Sequence, residues 1–285
     1  MGRRRVTVRR IGFAYNPTIE DALELRERAA GWCRMHGVEQ WASPAGDTAD
    51  HLEELRQTDI LVVLGGDGTF LRAAQTIAEV DVPILGINLG KVGFLSVAEA
   101  DELEGVLEKL QAGAYTVRER MALTGRILQA GRTPDGTFTA LNDIVVARGS
   151  LARVVRLDVS IDESHLATFV ADGLVVSSPT GSTGYSFSAG GPILDPSSRN
   201  LVVTPIAGYL STIRSVVVSP HQVVRTRVVD AHEALVSIDG REDRRIEVGD
   251  VVEVRALERP MRFVEPTGAL PFWDLLRTKV ELLPS

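Results

Sequence analysis

The chain has 285 residues, 44% of them hydrophobic and 24% charged, and a formal net charge of −7. This is the balance of an ordinary globular protein long enough for two domains with separate cores, and the acidic surplus argues against a general nucleic-acid binder. One cysteine, Cys33, excludes an internal disulfide framework and a cysteine-rich zinc site, and the five histidines (His36, His51, His165, His221, His232) lack metal-ligand spacing, so no side chain is assigned to a metal.

Arg3-Arg4-Arg5 and Arg9-Arg10 read as a solvated terminus beside the first strand, with a nucleic-acid arm as the alternative. Residues 11–15 are a strand candidate closed by Asn16-Pro17, too early for a secretory segment. No run approaches the length of a membrane span, and the reading points to the cytoplasm. Ala22, Leu25, Ala29, Trp32 and Cys33 share one face of a predicted helix that stops at Gly37. A short strand at 38–42 and a short helix at 49–56 follow. Ile60–Leu64 is a continuous aliphatic run, which suits a strand covered on both faces. A helix at 70–78 and a buried strand at 83–88 complete an alternation that predicts a mostly parallel sheet with helices on its faces. Its ligand crevice is expected beyond the carboxyl ends of the strands.

Leu103, Val106, Leu107 and Leu110 define a helix that is expected to bridge to the second region. From Tyr115 onward the pattern becomes β. Alternating or β-branched stretches stand at 123–128, 138–147, 153–161, 166–176, 201–206, 215–219, 223–229, 234–238 and 251–256. Turn signals such as Pro134-Asp135-Gly136, Asp239-Gly240 and Gly249-Asp250 separate them. A short helix is predicted around 271–276. The expected fold is therefore an α/β N-terminal domain with a Rossmann-like parallel sheet plus an all-β C-terminal domain, α+β overall. The domains are set at 1–98, completed by 266–285, and at 99–265.

Between the strand at 60–64 and the helix at 70–78 stands Gly65-Gly66-Asp67-Gly68-Thr69. Its three glycines in four residues permit positive φ and leave no Cβ in the path of a close-approaching ligand. Peptide N–H groups at a helix start receive phosphate, aided by the helix dipole. A carboxylate in such a cradle repels phosphate, so Asp67 needs a compensating role, either holding a metal or accepting a proton from a hydroxyl nucleophile. That combination suggests phosphoryl transfer. The competing reading is a tight strand-to-helix turn with Asp67 as the helix cap.

Asn142-Asp143 places amide donors beside carboxylate acceptors, a chemistry suited to ribose hydroxyls and equally a common turn pair. Residues 172–192 are richer. A short strand at 174–177 runs into the hydroxyls of Thr180, Ser182, Thr183, Ser186 and Ser188, with Tyr185 offering a flat face for a base. A buried polar run is costly unless each group has a partner, and a bound nucleotide would supply partners. A ligand surface is therefore preferred to a flexible linker.

These segments, in this order, resemble the NAD kinases. The likeness runs from Gly65-Gly66-Asp67-Gly68-Thr69 through Leu89-Gly90-Lys91-Val92-Gly93-Phe94-Leu95, Asn142-Asp143 and the 172–192 segment to Ser237-Ile238-Asp239-Gly240-Arg241 and Phe272-Trp273. It covers most of the chain. The first turn is shared with diacylglycerol-type lipid kinases and has a close relative in phosphofructokinases; the 180–192 segment is the more specific part. The resemblance implies transfer of the terminal phosphate of ATP, or of polyphosphate, to the 2′-hydroxyl of the adenosine ribose of NAD. It also implies a divalent metal cation (Mg²⁺ or Mn²⁺), substrate bound between the domains, and a homodimer or homotetramer, without nucleic-acid or membrane partners.

Carried onto this chain, the resemblance makes Asp67 the proton acceptor, with Gly68 and Arg72 near the nucleotide phosphates. Arg72 reads equally well as a solvated helix arginine. Asn142 and Asp143 would hold ribose hydroxyls and adenine, and Asp172 would meet the nicotinamide end. Thr183, Gly184, Tyr185, Ser186, Phe187 and Ser188 would wrap NAD, with Tyr185 beside a ring, and Ala207, Arg153 and Arg241 are further cofactor-lining transfers. Two positions depart from the family pattern. Gly184 stands where Ala is usual, and Tyr209 replaces the His of a Pro-His-Ser-Leu-Ser pattern found in many bacterial members, which puts contacts of that loop in question. Two competing functions are another kinase class, acting on a lipid or a sugar phosphate, and an NAD sensor without turnover. The hydroxyl-rich segment weighs against the first and the retained Asp67 against the second.

Overall fold

The computed structural model describes residues 8–90, 93–129, 136–150, 153–209 and 213–281. They form two compact units: residues up to Glu119 with those from Met261 onward, and Arg120–Pro260. The basic stretch at 3–5, Pro134-Asp135 and residues 210–212 lie outside the described residues.

The first unit begins with β1 (Arg10–Tyr15), α1 (Glu20–His36), β2 (Glu39–Pro44), α2 (Leu52–Arg56), β3 (Ile60–Leu64), α3 (Asp67–Ile77), β4 (Ile84–Asn88), β5 (Ala98–Glu99), α4 (Leu103–Gln111) and β6 (Tyr115–Arg120). Strand β1 pairs in parallel with both β2 and β3, and β3 pairs in parallel with β4. All five residues of β3 are buried, as its unbroken aliphatic run requires for a strand with neighbours on both edges and cover on both faces. The 49–56 region folds as a 3-10 turn (Thr48–His51) running into α2. Helix α4 is not a bridge between units. Leu103, Val106, Leu107 and Leu110 are buried in the same core as Leu25 and Ala29 of α1, which holds the helix in the first unit.

The second unit holds β7 (Leu123–Leu128), β8 (Phe138–Ala140), β9 (Asp143–Arg148), β10 (Val155–Ile161), β11 (Ser164–Ala171), β12 (Gly173–Ser177), the one-turn α5 (Tyr185–Ser188), β13 (Leu201–Ile206), β14 (Val216–Val218), β15 (Val224–Asp230), β16 (Ala234–Ile238), β17 (Glu242–Ile246) and β18 (Val251–Ala256). They build two six-stranded sheets, ordered β11-β10-β15-β18-β7-β8 and β14-β13-β12-β9-β16-β17. The inward residues of both, among them Leu123, Ile144, Leu157, Phe169 and Val236, share one core. Two stretches that read as single strands are broken. The 138–147 stretch splits at Leu141-Asn142 and the 166–176 stretch at Asp172, because at each break the chain leaves the first sheet and enters the second.

The chain then returns to the first unit. Strand β19 (Met261–Pro266) enters the parallel sheet beside β4, with Phe263 opposite Ile84, and α6 (Phe272–Glu281) follows. The sheet order is β2-β1-β3-β4-β19-β6, with β5 alongside β4. The units thus divide at 119/120 and 260/261, where the sequence pattern placed 98/99 and 265/266. Strand β19 is absent from the expected strands; its period-2 pattern says nothing about which sheet will receive it. Among the described residues, no helix is long and apolar enough to cross a membrane.

All three tryptophans (Trp32, Trp41, Trp273) lie in the first unit, so tryptophan fluorescence reports on it. Leu107→Ala removes a fully buried side chain and should cost about 2–5 kcal/mol, seen as an earlier tryptophan transition in urea. An unmoved transition would detach α4 from this core.

Candidate active site

Strand β3 ends at Leu64, and the chain must reverse at once to lay α3 on the sheet. Gly65 makes that turn at φ +153°, and a Cβ there would stand 2.8 Å from Thr69 Oγ1. Gly66 is extended and caps the helix: its carbonyl accepts the N–H groups of Thr69 and Phe70 at 2.9 and 3.1 Å. Asp67 is consequently the first helical residue and does not cap it, so the simple-turn reading of its side chain fails. Its carboxylate instead accepts the peptide N–H groups of Phe94 and Leu95. The other oxygen, Oδ1, is buried and has no partner among the described residues.

The loop after β4 is shaped around this carboxylate. Gly93 passes so close that any Cβ would collide with it. The Gly93 N–H is held by Ser96 Oγ at 2.7 Å, and Phe94 packs its ring 6.3 Å from that of Phe272 on α6. Burial raises the Asp67 pKa, an effect the two peptide donors and the charge of Lys279 partly offset. A Cβ at Gly68 would meet nothing within 4 Å among the described residues, so there is space beside the first turn of α3. Arg72 is exposed on α3. Lys91 and Val92 lie outside the described residues.

In the second unit a different carboxylate organises the site. Asp239 occupies the β16–β17 turn at φ +51° and accepts the N–H groups of Leu141, Asn142 and Asp143 at 2.9, 2.7 and 3.2 Å. Asp143 and Asp239 are each only 6% exposed. Burial first, and the neighbouring Asp239 charge second, push the Asp143 pKa up to about 7. Asp239 is also raised by burial, against the pull of its three peptide donors and of Arg241.

Asn142 binds the 177–178 segment through its carbonyl, which accepts Ser178 N–H at 2.8 Å, while its own Oδ1 is buried and has no partner among the described residues. Most inward hydroxyls of the 177–188 segment find partners within the chain. Ser178 donates to Leu141 O at 2.5 Å, Ser182 donates to Pro179 O and accepts Leu194 N–H, and Ser186 lies 3.4 Å from Thr204 Oγ1. The expectation that a nucleotide would supply these partners is corrected, with one exception: Thr180 Oγ1 is buried and has no partner among the described residues. Thr183 donates to Thr180 O at 3.4 Å and remains partly open, and Gly184, Tyr185, Phe187 and Ser188 face outward. Tyr185 is 47% and Phe187 is 49% exposed.

Asp172 is clamped by Arg148, with Nε 2.7 Å from Oδ1 and Nη2 3.2 Å from Oδ2. Ala207 is exposed just past β13 at φ +46°, a backbone state that a non-glycine residue rarely adopts. Arg153 and Arg241 are exposed. Asn142, Asp143 and the 177–183 segment are therefore joined by hydrogen bonds. Arg153, among the described residues, has no hydrogen bond to them. The sequence pattern assigns no role to Asp239, Arg148, Gly93 or Lys279. Asp239-Gly240 reads as a hairpin turn, and Gly93 and Asp239 each fall in a segment that carries the family likeness without a role of its own.

A parallel α/β unit whose glycine-rich turn presents one half-buried carboxylate, in a chain that continues into a two-sheet β unit, has the parts of a small-molecule kinase. Residues 6–115 match the ATP-NAD kinase N-terminal domain and residues 141–266 the ATP-NAD kinase C-terminal domain. The NAD kinase of Heliobacterium modesticaldum is 38% identical over 282 residues, spanning 95% of this chain and 98% of that one. That of Syntrophotalea carbinolica is 36% identical over 282 residues, spanning 96% and 98%. Among solved structures, yeast NADH kinase complexed with NADH is similar at TM-score 0.84 and 25% identity, over 98% of this chain and 88% of that one. An NAD kinase from Archaeoglobus fulgidus in complex with ATP is similar at TM-score 0.75 and 26% identity, over 96% and 100%. The chain belongs to the NAD kinase family, and its activity is the phosphorylation of NAD.

Two outcomes are expected from this geometry. Gly93→Ala displaces the Asp67 carboxylate and should lower NADP formation about a hundredfold, read in a coupled assay, whereas unchanged turnover would mean the loop yields without consequence. Asp143 holds its proton more tightly folded than unfolded, so its contribution to stability is full in acid and is lost as pH rises toward and through about 7. Thermal unfolding between pH 4 and 8 should show that loss, and Asp143→Asn should flatten it.

Proposed function

We propose that the phosphoryl group passes from ATP to the 2′-hydroxyl of the adenosine ribose of NAD, with Asp67 accepting the hydroxyl proton. The observation that carries the reading is a half-buried carboxylate at the mouth of a glycine cradle whose buried Oδ1 has no partner among the described residues. An ordinary aspartate, near pKa 3.9, is a poor base for an alcohol. Burial raises Asp67 above its ordinary value and brings it closer to the hydroxyl it must serve. Phosphoryl transfer through a loose transition state asks mainly for alignment, so Asp67 orients the nucleophile and takes its proton late.

Among the described residues no group of three or more His, Cys, Asp or Glu could hold a metal ion. Mg²⁺ or Mn²⁺ carried on nucleotide phosphates needs no such cage, since substrate phosphate oxygens and water supply most of its ligands, and Asp67 keeps its second oxygen for the hydroxyl. When bound, the cation would offset the negative charge of the phosphate oxygens. The first turn of α3 at Gly68 lies near the nucleotide phosphates, as does Arg72, which is exposed one turn further along α3. Asn142 and Asp143, with the unpartnered Asn142 Oδ1 and Thr180 Oγ1 beside them, take the ribose and adenine. The exposed rings of Tyr185 and Phe187 supply flat faces for the dinucleotide, and Asp172, held by Arg148, takes the nicotinamide amide. Thr183, Gly184, Ser186, Ser188, Ala207, Arg153 and Arg241 complete the lining. The Archaeoglobus relative complexed with ATP supports ATP as donor over polyphosphate, and the yeast relative complexed with NADH supports a dinucleotide acceptor. A homodimer or homotetramer in the cytoplasm belongs to the same proposal, and sedimentation velocity tests the assembly.

Asp67→Asn keeps shape and removes the base. With NAD, ATP and Mg²⁺, turnover should fall by about 10²–10⁴-fold with the fold intact by circular dichroism. Near-normal NADP production would take Asp67 out of the chemistry. Equal turnover of the unaltered enzyme with polyphosphate and ATP would overturn the choice of donor.

A further inference from the structure

Asp239 is buried at the tip of the β16–β17 hairpin, and nothing in the turn itself calls for a carboxylate there. A two-residue turn with positive φ at both central positions accepts Asn-Gly as readily as Asp-Gly. What does call for one is the neighbouring backbone. Leu141 N–H points at Oδ2, and the N–H groups of Asn142 and Asp143 both point at Oδ1. The Asp239 N–H answers by donating to Asp143 O at 3.0 Å. These four bonds hold the stretch where the chain leaves β8 and enters β9. Beyond Asp143, β9 is locked by β16 on one side and β12 on the other, with Ile144 opposite Ile238. The crossing itself has no ladder, so the carboxylate stands in for a neighbouring strand.

We infer that Asp239 is a positioning residue for the kinase reaction, orienting Asn142 and Asp143 toward the hydroxyls of the NAD acceptor through the three peptide N–H groups it holds. The inference rests on the reading that Asn142 and Asp143 contact NAD. Both oxygens of Asp239 are engaged and the residue is buried, so it acts through its neighbours without touching substrate itself.

Asparagine separates the two roles. It serves the turn equally well, but its single oxygen cannot satisfy both sides of the fork, and its NH₂ then faces a peptide N–H. A lost or opposed buried hydrogen bond of this kind converts to about a 10- to 100-fold loss in affinity. The test compares Asp239→Asn, Asp239→Glu and Asn142→Ala with the unaltered enzyme. Steady-state kinetics would use NAD and ATP varied separately, together with calorimetric titration of NAD. The expected result for Asp239→Asn is a KM and Kd for NAD raised about 10- to 100-fold, an ATP KM within about twofold, and recovery of part of the loss in Asp239→Glu. Asn142→Ala should also raise the NAD KM. If Asn142→Ala does so while Asp239→Asn binds NAD normally, the positioning role is overturned and the site reading stands. If Asn142→Ala leaves NAD binding unchanged, the site reading at 142–143 fails and the inference with it. Parallel loss for both substrates, or unfolding of both Asp239 variants, would assign the residue to the fold alone.

Discussion

A carboxylate taken out of water must be compensated by donors, and the first unit is arranged around that requirement at Asp67. Strands β3 and β4 are parallel neighbours, so the loops leaving their carboxyl ends lie side by side. One loop turns into α3 and delivers Asp67; the other delivers the peptide N–H groups of Phe94 and Leu95. Two donors make the half-buried charge tolerable without quenching it, because Oδ1 has no partner among the described residues. The glycines at 65 and 93 follow from this constraint, the first to reverse the chain and the second to let the loop pass against the carboxylate.

The second unit applies the same physics to a different end. Asp239 uses its oxygens to hold the backbone where the chain passes from one sheet to the other, next to Asp143, whose pKa burial pushes up to about 7. The residues proposed to meet NAD cluster at irregularities. Asn142 and Asp172 both stand where the chain changes sheets, and Ala207 stands just past the end of β13 in a rare backbone state. Within a regular ladder, peptide groups bond to neighbouring strands and side chains alternate between core and solvent. Breaks in the ladder are where polar groups can be turned toward a ligand.

The far end of the chain also bears on the Asp67 carboxylate. Strand β19 and α6 return to the parallel sheet, Phe272 packs beside Phe94, and the charge of Lys279 acts on Asp67. Neither 272 nor 279 is near 67 in sequence. Their effect exists because the sheet places a late strand next to β4 and carries the following helix to the site.

What can be read along the chain is whatever a short window controls. The buried run at 60–64 declares a two-sided strand, the apolar spacing of α1 declares a helix, and the glycines around Asp67 announce a turn built for close approach. The linear order of motifs suffices for the family as well. Partners are illegible. Whether Ser186 faces a ligand or Thr204, whether Asp67 caps a helix or meets Phe94, and which sheet takes residues 261–266 depend on groups distant in sequence. Leu141 and Asp239 are 98 positions apart, and only folding brings that carboxylate to those amides. Propensity and periodicity are local energies, whereas a hydrogen bond across the fold exists only once the topology has chosen its neighbours.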